Sequence, residues 1–123
     1  MNAVLWIVQA VLAAAFLVAG ALKVSQPKQK LTDMMGWPGD FSPNVIKGIG
    51  TVELLAAIGL ILPAATGIAT WLTPLAGVGL AVLMVGAMAT HYRRKEPQMI
   101  VTNVVIFALA VLVAWGRFGP YSF

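Results

Sequence analysis

Cysteine is absent from these 123 residues, which removes disulfides, thiolate metal ligands and thiol redox chemistry together. Histidine occurs once, at His91. One imidazole and one carboxylate within the apolar stretches are a poor ligand set, so no metal site is expected within the chain. Charge is scarce as well: Asp, Glu, Lys and Arg make up 10% of the residues, against about a quarter in a soluble domain. Ser25, Ser42 and Ser122 fall in loops or at the terminus, and no nucleophile, base and orienting acid recur at a recognisable spacing. The glycines are scattered through apolar segments and form no phosphate-cradling loop. No catalytic residue is expected, and the chain is not read as an enzyme on its own.

What is present is hydrophobic: 60% of the residues, with a mean hydropathy of +0.91. The apolar residues gather in four runs, 3–22, 45–62, 68–90 and 99–115. Each approaches the roughly 20 residues needed to cross a hydrocarbon core as a helix. The runs lack period-2 alternation, and a backbone in lipid must satisfy its own hydrogen bonds, so helices are expected over strands. The expected fold is all-α: one membrane domain over 1–123, a four-transmembrane-helix up-down bundle. Ala19-Gly20-Ala21 has the small residues of a signal-peptidase site, but no Lys or Arg precedes the first run, so that run is read as a retained helix.

Basic residues set the expected orientation. Lys23, Lys28, Lys30 and Lys47 flank or occupy the first connection, Arg93, Arg94 and Lys95 the third, and Pro63 to Gly67 none. The positive-inside rule puts loop 23–44 and the third connection in the cytoplasm, with both termini outside a cell membrane crossed several times. Trp6, Trp71 and Trp115 then fall at the outer interface, which indoles favour. Arg117 is expected to snorkel at the end of the last run. The pI of about 9.9 reflects these juxtamembrane charges, which favour contact with anionic lipid, not nucleic acid.

Within loop 23–44, Leu31, Met34 and Met35 recur at helical spacing beside Lys28, Lys30 and Asp33, which predicts a short amphipathic segment over Lys28 to Met35. Gly36-Trp37-Pro38-Gly39-Asp40 reads as a turn whose Trp37 anchors in the headgroups, and Ser42-Pro43 as the start of the second spanning helix. Met84 and Met88 read as adaptable packing. Gly79 and Gly86, seven apart, read as a helix contact within the bundle or between subunits.

The informative residues are polar ones at or inside the runs. Glu53 lies near the middle of the second, where a carboxylate is costly unless paired, protonated or wet. It shares a face with Gly50, Ala56 and Ala57, small residues that admit a neighbouring helix, so it is expected to point inward. Lys23, His91 and Asn103 fall in the same half of the bilayer. Antiparallel packing would bring one polar group from each helix together, Lys23 or His91 neutralising Glu53 and Asn103 bridging donors to acceptors. Lys23, Glu53, His91 and Asn103 are the candidate binding residues.

Phe16-Leu17-Val18-Ala19-Gly20-Ala21-Leu22-Lys23, the segment Gly50-Thr51-Val52-Glu53-Leu54-Leu55-Ala56-Ala57-Ile58-Gly59-Leu60, then Ala87-Met88-Ala89-Thr90-His91-Tyr92-Arg93-Arg94 and finally Asn103 occur in that order. Together they resemble the DoxX-like family of small four-helix bacterial membrane proteins. The resemblance implies a quinone- or redox-associated role, since better-understood relatives include a membrane subunit of a thiosulfate:quinone oxidoreductase and a membrane partner in a complex linked to thiol and superoxide defence. On that reading the chain is an accessory or ligand-binding subunit with no intrinsic cofactor, a quinone as ligand, and the lipid bilayer, a redox protein or further copies of itself as partners. Two alternatives stand beside it: a small proton-coupled transporter centred on Glu53, and a scaffold whose polar cluster is purely structural.

Overall fold

The four apolar runs become four long helices, and the amphipathic segment a fifth, in the computed structural model, which describes residues 1–122; Phe123 and the side chain of Asp40 lie outside the described residues. The order is α1 (Asn2–Ser25), α2 (Lys28–Met35), a short 3-10 turn (Trp37–Asp40), α3 (Pro43–Thr66), α4 (Leu72–Arg93) and α5 (Pro97–Phe118). All four long helices are long and apolar enough to cross a membrane, and among the described residues there is no strand. α1 packs on α3, α3 on α4 and α4 on α5, and α5 closes back on α1. Leu12, Phe16, Leu60, Leu80, Met84 and Val113 fill the centre, while Ile7, Leu55, Val82 and Val101 face outward, as a chain dissolved in lipid allows.

Two close approaches bring the helices together. A side-chain carbon added at Gly50 would lie 2.9 Å from the Gly20 carbonyl oxygen and 2.7 Å from Lys23 Cβ, so α1 and α3 meet backbone to backbone. One at Gly77 would lie 2.9 Å from the Ala110 carbonyl oxygen, which seats α4 on α5 in the same way. Gly79 and Gly86 do not share this role: a carbon added at either meets nothing within 4 Å, so they mark no contact inside the bundle. Met84 is buried in the core and Met88 packs against it.

The second connection differs from the expected Pro63 to Gly67. α3 runs through Pro63 to Thr66, and the turn is 67–71, with Gly67 in the left-handed conformation at the helix end. Pro63 has no N–H to give the Gly59 carbonyl one turn back, a defect that ordinarily breaks a helix. Here Thr73 Oγ1 donates to that carbonyl at 2.9 Å from α4, so the helix continues and the freed acceptor ties α3 to its neighbour. At the start of α3 the expected punctuation is present: Ser42 Oγ accepts from the Val45 N–H, and Pro43 occupies the first turn.

The connection between α4 and α5 closes by a Schellman arrangement. Glu96 N–H donates to the His91 carbonyl and Lys95 N–H to the Tyr92 carbonyl, with Lys95 at φ 57 in the left-handed region. A lysine there costs about 1 kcal/mol relative to glycine. The fold-back has a consequence for chemistry, because it returns Glu96 to the side of His91.

Candidate functional site

The antiparallel bundle has two ends, and each buries polar side chains. We call the end with α2 and the α4–α5 turn the loop end, and the end with both chain termini the terminal end.

At the loop end the four candidate residues are all buried, and they occupy successive depths. Gly20 faces Gly50 and Leu54, Gly59 faces Leu72 and Ala76, and Gly77 faces Ala110 and Ala114. Counting from these contacts at 1.5 Å per residue, Glu53 lies deepest, Lys23 and Asn103 sit roughly 6–9 Å nearer the loop end, and His91 roughly 8 Å beyond Asn103. The arrangement is a graded column in place of the single cluster expected from spacing.

Its deepest element is an ion pair. Lys23 Nζ reaches back along α1 to 2.7 Å from Glu53 Oε1. Glu53 is 3% exposed and, as expected, shares its buried face with Gly50, Ala56 and Ala57. A buried carboxylate in an apolar bundle is tolerable when paired, and Lys23 supplies the charge. Beyond this ion pair no donor among the described residues reaches Glu53 Oε1, and a carboxylate oxygen with two lone pairs keeps accepting capacity. Trp37 lies 5.7 Å from the same ammonium, ring face towards it. It is half-buried against Lys23, a different setting from the headgroup anchor that a turn-borne indole suggests.

His91 has a different partner from the one expected. Its Nδ1–H donates to Glu96 Oε1 at 2.9 Å, and Arg94 Nε donates to the same oxygen at 3.2 Å. Glu96 was not among the candidates; the signal was an acid five residues after His91 across a turn. The His91 hydrogen bond, aided by the Arg94 charge, holds the Glu96 carboxyl below its usual range.

Asn103 stands apart. It is 6% exposed on the core-facing stripe of α5, with Ala110 and Val113. Its Nδ2 is buried without a hydrogen-bond partner among the described residues. It does not bridge the other groups. An unmade buried hydrogen bond costs about 1–3 kcal/mol, which makes this amide the least self-contained polar group of the column. An apolar groove of about 320 Å³ opens on the α4–α5 flank, lined by Val78, Val82, Phe107, Val111 and Trp115 among others. It begins at Phe107, one helical turn from Asn103.

The terminal end holds a network that the sequence reading missed. Gln9, fully buried in the middle of α1, donates through Nε2 to the Leu60 carbonyl at 2.7 Å. Its Oε1 accepts from Arg117 Nε at 2.8 Å. Arg117 Nη1 donates to Asn2 Oδ1 at 2.6 Å and to the Tyr121 carbonyl at 2.9 Å. Arg117 is 3% exposed, which corrects the expectation that it snorkels. α5 extends to Phe118, and at that length residue 117 falls on the core-facing stripe, where Gln9 and Asn2 provide the acceptors a guanidinium needs. The available signal was a glutamine alone within an apolar run. Among the described residues no three His, Cys, Asp or Glu side chains gather in a way that could hold a metal ion.

Comparison with known families finds a match to the model of the DoxX-like family over residues 7–113. Comparison with curated proteins finds no match, and comparison with solved structures finds none either.

Proposed function

Since the chain belongs to the DoxX-like family, we propose that it is an accessory, ligand-binding subunit of a quinone- or redox-associated membrane process, with the polar head of a lipid-soluble ligand such as a quinone held at the loop-end column. The observation that carries this reading is the Asn103 amide, a donor buried in an apolar bundle with no partner among the described residues. A quinone carbonyl is an acceptor of the matching kind, soluble in the same phase. Glu53 Oε1, with accepting capacity left, suits the hydroxyl of a reduced quinol. The apolar groove that starts at Phe107 offers a lipid-facing wall for the tail. His91 and Glu96 lie nearest the loop end, where an imidazole and a carboxylate suit proton exchange with water. The chain has no thiol, so in this reading a redox protein partner supplies the electron-transfer centre, with the basic loops in the cytoplasm and both termini outside. Further copies of the chain are the other partner this reading admits.

A structural reading has one observation in its favour. The Lys23–Glu53 pair spans α1 and α3 beside the Gly20–Gly50 contact, where it would lock the register of that seam whatever else binds. Native mass spectrometry on the protein extracted gently from its own membrane separates the two. Retained quinone, lost from Asn103→Leu and Glu53→Gln, is the expected result; ordinary phospholipid alone favours the lock.

A further inference from the structure

Seven of the eight Lys and Arg residues lie at the loop end with all four Asp and Glu residues, which leaves that end three positive charges in excess. The excess is unevenly placed. Lys23 is neutralised by Glu53, and Arg94 bonds to Glu96. Lys28 and Lys47 make no ion pair among the described residues, yet they come from different helices and meet at one shallow depression. Gln26 and Lys23 share its rim, and Leu31 and Ile46, both fully buried, form its floor. Its volume of about 10 Å³ admits one oxygen-sized group, with anything larger left over the rim.

Chemistry and position together select the occupant. Two ammonium groups with no ion pair among the described residues and an amide, around a one-oxygen recess, suit a phosphate oxyanion. Lys47 is the fifth residue of α3 and exposed on the outside of the bundle, at the depth where the apolar span gives way to headgroups. Beside and inward from it lies an apolar, outward-facing flank: Val24 and Leu17, seven apart on α1, and Ile58, three turns from Lys47 on α3. A soluble anion would use the lysines and leave the flank idle. A phospholipid uses both. We propose that Lys28, Lys47 and Gln26 form a binding site for the phosphate of an anionic phospholipid, whose acyl chains lie along Val24, Leu17 and Ile58. Bound there, the lipid bridges the start of α2 to the first turns of α3 and holds loop 26–42 over the bundle end.

The full chain in detergent, offered equal amounts of phosphatidylglycerol and phosphatidylcholine, tests this by native mass spectrometry. Wild type is expected to retain phosphatidylglycerol about tenfold better, and Lys28→Gln/Lys47→Gln to fall to within about twofold of parity. Lys30→Gln/Lys95→Gln removes the same charge from elsewhere at this end and is expected to keep the preference. Single Lys28→Gln and Lys47→Gln variants, each at an exposed or half-exposed position, are expected to fall between. Millimolar inorganic phosphate is expected to leave the bound lipid in place. No preference in wild type, equal loss in both double variants, or displacement of the lipid by inorganic phosphate would each overturn the proposal.

Discussion

The two ends of this bundle solve the same physical problem, polar side chains in an apolar interior, in opposite ways. At the terminal end most of the polar groups satisfy one another: Arg117 bonds through Nε to Gln9 and through Nη1 to Asn2, with its buried Nη2 outside these hydrogen bonds, Gln9 bonds on to a backbone carbonyl of α3, and Thr73 covers the acceptor that Pro63 leaves open. At the loop end the buried carboxylate is paired, but Asn103 Nδ2 has no hydrogen-bond partner among the described residues and Glu53 Oε1 meets only Lys23. A network closed on itself stabilises; one left open costs stability and suits a ligand. Burial alone does not separate the two, since Arg117 and Glu53 are equally buried at 3%.

The contrast is most easily broken at the terminal end. Arg117→Met leaves Gln9 Oε1, Asn2 Oδ1 and the Tyr121 carbonyl without their donor, and is expected to cost about 3 kcal/mol in reversible unfolding from mixed micelles. A cost below about 0.5 kcal/mol would make that end as open as the other. Gly50→Val acts on the seam that carries the loop-end pair. Its side chain meets a backbone oxygen that cannot move away, so about 2 kcal/mol is expected in the same assay.

Glu53→Gln sharpens the comparison further. Lys23 stands near the end of α1, where a long side chain can turn out to the headgroups. The expected loss is therefore only about 1 kcal/mol, the scale of interhelical polar contacts in membranes. A loss as large as that of Arg117→Met would favour the structural lock at both ends.

The smallest expected effect is a pH dependence at the α4–α5 turn. Glu96 has its folded pKa lowered by the His91 hydrogen bond and the Arg94 charge. The stability it contributes is thus present above its unfolded value near 4.5 and is lost as pH falls through the lower folded value. Acid titration of unfolding should show this slight loss in wild type and not in Glu96→Gln. An unchanged acid limb in the variant would mean that the hydrogen bond adds nothing to the fold.

The helices, the amphipathic α2 and the inward face of Glu53 were readable in the sequence because each rests on a local pattern: run length, 3.6-residue spacing, small neighbours at Gly50, Ala56 and Ala57. The candidate residues were found by cost, since a charge in an apolar run demands a reason. Of their partners, only Lys23 for Glu53 was among those expected. Spacing puts Lys23, Glu53, His91 and Asn103 in one half of the bilayer, but which groups touch depends on the reach of side chains and on a turn. Lys95 in the left-handed region turns Glu96 onto His91, and His91 itself stands roughly 17 Å nearer the loop end than Glu53, out of its reach. The Gln9–Arg117 network stayed hidden because glutamine carries no charge to flag it, and because Arg117 sits so near the end of its run that a one-turn difference in helix length decides between snorkelling and burial.

The most direct test of the contrast pairs Asn103→Leu with Arg117→Met in one lipid nanodisc preparation, measuring unfolding and the binding of a short-chain quinone analogue in each. The account predicts that Asn103→Leu keeps or gains up to about 1 kcal/mol of stability while losing most of the binding. Arg117→Met is expected to lose stability and, where still folded, to bind as wild type does. Binding of the analogue by Asn103→Leu as tightly as by wild type, or its absence from wild type altogether, would contradict the assignment of the loop end as the ligand site.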